Sequence, residues 1–273
     1  MLLLALLAQI GPAPAGTLPL LPAELVQRAD TGAAPVAEPD LVSCLGDAER
    51  DPLVAVENAT AWRNRALGRQ KVQAGHCLGV ALSALGRWQP ALIAFAEARD
   101  ALPAADRDYR ARLGAMAGNA ALAGGNADAA LPALDTASAD AEGNADKALT
   151  GNIALDRARA LVALDRETEA EAALATARTA MTGSAQAWLL SATLSRRLGK
   201  LAQAQAEIEK AGELLPTSPE IGLEAGVIAV LSGRDEAARK SWQSVVDAAP
   251  RSPSAETARG YIAQLGQPDG TGR

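Results

Sequence analysis

Apolar residues recur every three or four positions through most of the chain after residue 40, a pattern that predicts a succession of amphipathic helices. The helices are predicted in pairs, because short glycine-bearing segments such as Leu85-Gly86-Arg87 and Leu198-Gly199-Lys200 separate two apolar-periodic stretches. Prolines such as Pro216 and Pro250 then end the second stretch of a pair. The pattern therefore predicts antiparallel helix pairs.

The pairs repeat with a constant offset in the carboxyl-terminal half of the chain. Two matching sets of residues lie 34 positions apart: Ala204, Ile208, Ala211, Pro216, and Ala238, Trp242, Val245, Pro250. The same offset relates Gly199 to Gly233, and one repeat upstream Asp165 occupies the place of the glycine. Short insertions separate the first three repeats. We predict five repeats, at residues 72–105, 111–144, 151–184, 185–218 and 219–252.

The sizes of the side chains at particular positions of the repeat predict how these helices pack. Gly79 and Ala91 leave room for the two helices of a pair to approach closely, whereas Phe95, Ile208 or Trp242 fills the space between neighbouring repeats. One pair cannot bury such a face alone. Stacked repeats bury it, so the sequence predicts a solenoid.

The segments on either side of the repeats have different compositions. Residues 41–71 are predicted to form an amino-terminal capping helix pair broken at Asp51-Pro52, and residues 253–266 a carboxyl-terminal capping helix. We interpret residues 16–40, which contain four prolines, as a flexible spacer and residues 267–273 as a disordered tail.

Residues 1–15 are typical of a secretory signal peptide, because the apolar run from Leu2 to Ile10 precedes small residues ending at Ala15. This run is about half of the ~20 residues that a membrane-spanning helix requires. The segment predicts a periplasmic or otherwise exported protein. No Lys or Arg precedes Leu2, which leaves a cytoplasmic location as the alternative.

The composition indicates the fold class, and the net charge argues against one class of partner. Alanine and leucine dominate and aromatic residues make up 3% of the chain, which favours helices almost throughout. The net charge of -6 repels a polyanion over most of the surface, so nucleic acid is not an expected partner.

The residues at equivalent positions of the repeats resemble those of the tetratricopeptide repeat family. The unit of that family carries an aromatic residue, Leu-Gly, a turn glycine, Ala, an aromatic residue, Ala and a final Pro. Repeat 185–218 shows Trp188, Ala204, Ala211 and Pro216 at those places. The resemblance covers residues 72–252 and implies an all-α, right-handed superhelical solenoid of antiparallel helix pairs. The placement of the cysteines also resembles that in uncharacterised exported repeat proteins of alphaproteobacteria.

The resemblance implies that a partner binds on a concave face formed by the first helix of each repeat. Arginines and leucines on this face of an acidic chain predict binding of a peptide or protein segment that carries acidic groups. The alternative is that the arginines are solvated or paired with neighbouring carboxylates. The predicted partner-binding residues are Gln73, His76, Arg112, Asn119, Asn152, Leu155, Arg159, Leu189, Arg196, Arg197 and Leu223.

The chain has two cysteines, Cys44 and Cys77, on predicted first helices that pack side by side in this family. A disulfide between them is the expected arrangement in an exported protein, and two buried thiols are the alternative. His76 suggests zinc, but no fourth ligand occurs at a familiar spacing, so we expect no metal.

Catalytic motifs are missing from the sequence: it contains no G-x-S-x-G, no Walker-type glycine loop and no H-E-x-x-H. The sequence therefore predicts a non-enzymatic scaffold without a cofactor. A self-assembling structural protein that stacks through its solenoid ends is the alternative.

Overall fold

A computed structural model describes residues 40–265 of the chain. Within this span the chain forms thirteen α-helices and no strand. The helices are α1 Leu41–Arg50, α2 Pro52–Arg65, α3 Gly68–Ala84, α4 Trp88–Asp100, α5 Arg107–Ala123, α6 Ala127–Asp140, α7 Lys147–Ala163, α8 Glu167–Ala180, α9 Ala185–Arg197, α10 Leu201–Leu214, α11 Pro219–Leu231, α12 Asp235–Ala248 and α13 Pro253–Leu265. The predicted signal peptide, spacer up to residue 39 and tail lie outside the described residues.

The chain divides into two compact units, Met1–Arg166 and Glu167–Arg273, called here the N-terminal and C-terminal units. In the described part of the N-terminal unit, each helix from α1 to α7 packs on the next, and α1 also packs on α3 and α5 on α7. In the C-terminal unit, each helix from α8 to α13 packs on the next, while α11 also contacts α9 and α13. The predicted all-α fold of stacked helix pairs is confirmed.

Local sequence signals explain where these helices begin. The side chains of Asp40, Asp51 and Asn126 accept hydrogen bonds from backbone N–H groups in the first turns of α1, α2 and α6. Ser184 and Ser218 cap α9 and α11 in the same way. Each cap satisfies a donor that the first helical turn leaves without an intrahelical partner.

Helices α3, α5 and α7 begin four residues before the predicted repeat starts at residues 72, 111 and 151. In contrast, α9 and α11 begin at Ala185 and Pro219, the predicted starts. Residues inserted between the early repeats leave room for about one more helical turn in α5 and α7, whereas the extra turn of α3 is formed by residues 68–71, which were assigned to the amino-terminal helix pair. The contiguous later repeats have no such room.

The turns within pairs use the left-handed backbone region, with φ of 67° at Gly86, 71° at Gly125 and 71° at Gly199. Asp165 replaces this glycine in the third repeat, as the sequence offset indicated, and it adopts φ of 55°. It has the single positive φ of a non-glycine residue among those described. The chain therefore retains the turn at a small conformational cost.

Replacing Asp165 with glycine is expected to raise the free energy of unfolding by ~0.5–1 kcal/mol, because glycine adopts a positive φ without a steric penalty. Urea denaturation of the wild type and of Asp165→Gly measures the difference. Asp165→Ala serves as the control and is expected to be no more stable than the wild type. A glycine variant less stable than the wild type would contradict this account of the turn.

Glycines on the first helices receive large side chains from the second helices. A Cβ atom at Gly79 would overlap the Phe95 ring, and one at Gly226 would overlap the Trp242 indole. Phe95 and Trp242 are both buried. The two helices thus approach closely at Gly79, as predicted, and the Phe95 ring packs into the space beside this glycine.

Candidate functional site

The predicted partner-binding positions lie on α3, α5 and α7 in the N-terminal unit and on α9 and α11 in the C-terminal unit. We call these surfaces the first-helix faces of the two units. Asn152 is exposed on this face of the N-terminal unit, whereas Gln73, Arg112, Asn119 and Arg159 are partly buried. On the face of the C-terminal unit the four predicted residues are all partly buried: Leu189, Arg196, Arg197 and Leu223.

His76 is a core residue, so its prediction as a partner-binding side chain is wrong. Its side chain is only 2% exposed, and its ring packs at an angle against the rings of Phe95 and Tyr109. Nδ1 lies 2.9 Å from the Tyr109 hydroxyl, and Nε2 is buried without a hydrogen-bond partner among the described residues. Burial lowers the pKa of His76 to about 4, because the charged imidazolium would lose its hydration.

Acidification is expected to destabilise the protein through His76. An unfolded histidine with the ordinary pKa of 6.5 binds a proton that the folded protein resists down to about pH 4. The contribution of neutral His76 is therefore complete above pH 6.5 and declines as the pH falls, by about 2 kcal/mol between pH 7.5 and pH 5.

Urea denaturation of the wild type and of His76→Gln at these two pH values measures that contribution as a difference between the proteins. All other titratable groups are the same in the two proteins, so their pH dependence cancels in this difference. The expectation would be contradicted if both proteins lost the same free energy of unfolding on acidification.

Leu155 was predicted to bind a partner, and this prediction is also wrong. Its side chain is 2% exposed. Helix α7, which carries Leu155, packs against both α5 and α6. Leu155 therefore contributes to the core of the N-terminal unit and offers little surface to a partner.

The arginines of the N-terminal unit's first-helix face already have carboxylate partners. Arg112 Nη2 lies 2.8 Å from Asp146 Oδ2, at the start of α7. Arg159 donates to Asp156, which also receives a hydrogen bond from Asn119. Burial raises the pKa of Asp156, while the Arg159 charge and the hydrogen bonds from Arg159 and Asn119 oppose that rise.

In the C-terminal unit, Arg196 joins α9 to α11 through an ion pair. Its Nε lies 2.7 Å from Glu224 Oε1, and the two side chains are 8% and 13% exposed. Arg197 has no carboxylate partner within the described residues. Of the four predicted arginines, three are thus paired with carboxylates, which is the alternative that the sequence left open.

Sequence reasoning missed the acidic partners, although a signal for two of them was present. Asp156 and Glu224 both occupy the sixth position of their repeats, counted from residues 151 and 219. Both are turned toward neighbouring first helices, where Asn119 and Arg196 bond to them. A carboxylate at the sixth position therefore links adjacent first helices within each unit.

The first-helix face of the C-terminal unit also has aliphatic character. Leu189 is packed against the core cluster around Ile208 but stays partly exposed. Leu223, Val227 and Val230 are likewise partly exposed while they pack against the cluster around Trp242. This face therefore presents hydrophobic surface beside the Arg196–Glu224 pair.

Cys44 of α1 and Cys77 of α3 are joined by a disulfide, with their Cα atoms 6.0 Å apart. The bond fixes the amino-terminal helix to the first helix of the first repeat. Neither sulfur is therefore available to a metal beside His76. Within residues 40–265, no group of three or more His, Cys, Asp or Glu side chains could hold a metal ion.

The two units consist of stacked antiparallel helix pairs, which places the chain in the class of helical-repeat folds. No protein-family model and no curated protein matches it. Solved structures show that the fold is that of tetratricopeptide repeat proteins. No helix in the described part of the chain combines the length and the hydrophobicity needed to cross a membrane.

Three solved structures illustrate the likeness. YrrB, described as a TPR protein with an unusual peptide-binding site, is 19% identical, with a TM-score of 0.53 over 68% of this chain and 91% of its own. TTC0263, a thermophilic TPR protein of Thermus thermophilus, is 23% identical, with a TM-score of 0.52 over 71% and 98%. MamA is 15% identical, with a TM-score of 0.56 over 67% and 93%.

Proposed function

We propose that this chain is a non-enzymatic scaffold that holds a peptide or protein segment on its first-helix faces. The observation that carries the proposal is the set of side chains on these faces that remain accessible. Gln73 and Asn152 supply amides on the N-terminal unit, and Leu189 and Leu223 supply aliphatic surface on the C-terminal unit. The shared fold with YrrB, a protein described as having a peptide-binding site, supports the same function.

The chemistry of these residues suits an extended polypeptide. An amide side chain donates and accepts hydrogen bonds, so Gln73 and Asn152 can pair with the backbone of a bound segment. Leu189 and Leu223 can receive apolar side chains. An acidic residue of the partner would meet Arg197 most readily, because Arg112 and Arg196 already bind carboxylates.

The absence of an enzymatic role is part of the proposal. Histidine is the side chain that most often acts as a general base near neutral pH. The sole histidine of this chain, His76, is buried, and its contacts are Tyr109 and Phe95. A substrate in solution could therefore not reach the His76 side chain in this conformation.

The test is a selection of binding peptides from a random displayed library against the full chain, followed by calorimetry. Asn152→Trp and Gln186→Trp add bulk at exposed positions of first helices α7 and α9. Thr136→Trp and Thr179→Trp add the same bulk at exposed positions of second helices α6 and α8. We expect at least one of the first-helix variants to weaken peptide binding by about tenfold or more, and the second-helix variants to leave it unchanged. Loss of affinity only in the second-helix variants would overturn the proposal.

Self-assembly is a second candidate, and exposed aliphatic residues on the amino-terminal helix pair favour it. Val42, Leu53 and Val54 are 54%, 55% and 45% exposed on α1 and α2. The terminal helices of a soluble solenoid usually carry polar residues on their outer face. Light scattering of the wild type and of Leu53→Glu tests the idea: growth in mass with concentration that the variant abolishes would support self-assembly, and a constant monomer mass would reject it.

The scaffold is proposed to act in an oxidising compartment, as the predicted signal peptide also suggests. The bond between Cys44 and Cys77 supports this placement, because such bonds persist mainly outside the cytosol. Alkylation of the protein taken directly from its native cells, followed by mass spectrometry, tests it. Two alkylated cysteines would argue for a reducing compartment.

A further inference from the structure

A cleft of about 250 Å³ in the N-terminal unit is lined by the second helices α2 and α4 and by α3. Apolar residues form most of its lining: Leu78 and Leu82 of α3, and Pro90, Ile93 and Ala94 of α4. None of these residues belongs to the predicted partner-binding set. A role for this cleft therefore does not depend on the function proposed for the first-helix faces.

The charges that line the cleft balance each other. They belong to Arg63 of α2 and Glu97 of α4, whose Nη1 and Oε2 atoms lie 3.0 Å apart in an ion pair. A charged occupant would lose hydration in the cleft without gaining a free partner of opposite charge there. An uncharged, apolar occupant therefore suits the cleft best.

The aliphatic character of the cleft is specific to the first repeat. Ile93 occupies position 22 of its repeat, and the equivalent residues of the other four repeats are Pro132, Ala172, Ala206 and Lys240. Leu78 occupies position 7, where the other repeats have Ala117, Arg157, Ser191 and Ala225. Ile93 remains 45% exposed. A large aliphatic side chain left exposed beside an apolar cleft, in one repeat of five, points to a surface that another segment covers.

The chain that precedes the described residues contains a segment of matching chemistry. Residues 16–23 have the sequence Gly-Thr-Leu-Pro-Leu-Leu-Pro-Ala, which carries no charge. Its three leucines can fill an apolar cleft. Its two prolines, Pro19 and Pro22, restrict the backbone, which lowers the entropy cost of holding the segment in one extended conformation. The predicted cleavage after Ala15 would leave this segment on the mature protein.

The segment can reach the cleft from its point of attachment. The described residues begin at Asp40, the N-cap of α1, and α1 packs on both α2 and α3. Ala23 precedes Asp40 by 17 positions (40 − 23 = 17), which span up to about 56 Å when extended. Helix α3, with 17 residues, is only about 25 Å long. Such a tether raises the local concentration of the segment to about the millimolar range, so a weak apolar contact is enough to keep it bound.

We propose that residues 18–23 dock in the cleft formed by α2, α3 and α4 of the same molecule. The leucine side chains cover the exposed part of Ile93, and residues 24–39 form the tether. The docked segment lies against the second helices, so the first-helix faces stay open to a partner.

The test is paramagnetic broadening in the NMR spectrum of the isotope-labelled full chain that carries a nitroxide on Thr17→Cys. The native cysteines are buried and bonded to each other, so the nitroxide reagent reacts with the introduced thiol. We expect the amide resonances of Leu82, Ile93 and Ala94 to lose most of their intensity, compared with the same chain carrying a diamagnetic analogue of the label.

Variants on both sides of the contact sharpen the result. Ile93→Lys gives α4 the residue found at Lys240 and is expected to restore the intensity of these resonances. Leu18→Glu/Leu21→Glu is expected to do the same from the side of the segment. Ala206→Lys makes the matching change at the equivalent, exposed position of α10 and is expected to leave the broadening unchanged.

A mixture of isotope-labelled chain without the nitroxide and unlabelled chain with it shows which molecule supplies the segment. Broadening in this mixture would mean that a second copy docks in the cleft, and it would overturn docking within one molecule. Absence of broadening at Ile93 and Ala94 in the labelled chain, or equal broadening in a folded Ile93→Lys, would overturn the proposal as well. The NMR spectrum of each variant shows whether it is folded, and Leu18→Glu/Leu21→Glu decides the question if Ile93→Lys is not.

Discussion

Replacing Gly226 with alanine is expected to lower the free energy of unfolding by about 3 kcal/mol. The added Cβ would overlap the indole of Trp242, which is buried against α11. The ring would have to move, and its Nε1 would lose the hydrogen bond that it donates to the Leu223 oxygen at 3.0 Å. Urea denaturation monitored by circular dichroism and by tryptophan fluorescence measures the loss.

Gly212→Ala is the matched control for this substitution. Gly212 lies in α10, and a Cβ there would meet Ile221 at an ordinary contact distance of 3.9 Å. Alanine has a higher helix propensity than glycine, so this variant is expected to be as stable as the wild type or more stable. Equal effects of Gly226→Ala and Gly212→Ala would show that the space beside Trp242 does not limit the helix spacing.

Breaking the disulfide between Cys44 and Cys77 is expected to cost ~3–4 kcal/mol of stability, because the bond closes a long loop in the unfolded chain. The bonded residues are separated by 33 positions. Helix α1 depends strongly on this bond, because its buried residues are Cys44 and Ala48. Chemical denaturation with and without a reductant measures the cost, and hydrogen exchange shows whether α1 is released first.

The Cys44→Ala/Cys77→Ala double variant is the control for reduction. Its stability should match that of the reduced wild type and should not respond to the reductant. If reduction left the wild type unchanged in both stability and exchange of α1, the disulfide would have no role in holding the amino-terminal helix.

Periodicity and the 34-residue offset were enough to predict the helix pairs, because those signals are local. Asp165 illustrates this: its place in the repeat identified it as the residue at the turn, and it adopts the left-handed backbone that the turn requires. The close approach predicted at Gly79 is also present, although the residue that meets Gly79 is Phe95 of the same pair, which was predicted to fill the space between repeats. The starts of α5 and α7 differed from prediction because inserted residues extended those helices, and α3 began earlier because residues 68–71, assigned to the amino-terminal helix pair, form its first turn.

The binding face was less predictable, because exposure depends on side chains distant in sequence. His76 occupies a position that the family likeness directs inward, but Tyr109 and Phe95 cover it. The charge of Arg196 is balanced by Glu224, which lies 28 positions away on another helix.

Photo-crosslinking of a selected peptide to the full chain tests the central claim most directly. A diazirine placed along the peptide reacts with whatever side chains lie beside it, and mass spectrometry locates the products. We expect cross-links to α3, α5 and α7 or to α9 and α11, near residues such as Asn152 or Leu223. Cross-links confined to the second helices α4, α6, α8, α10 and α12 would contradict the proposed binding face.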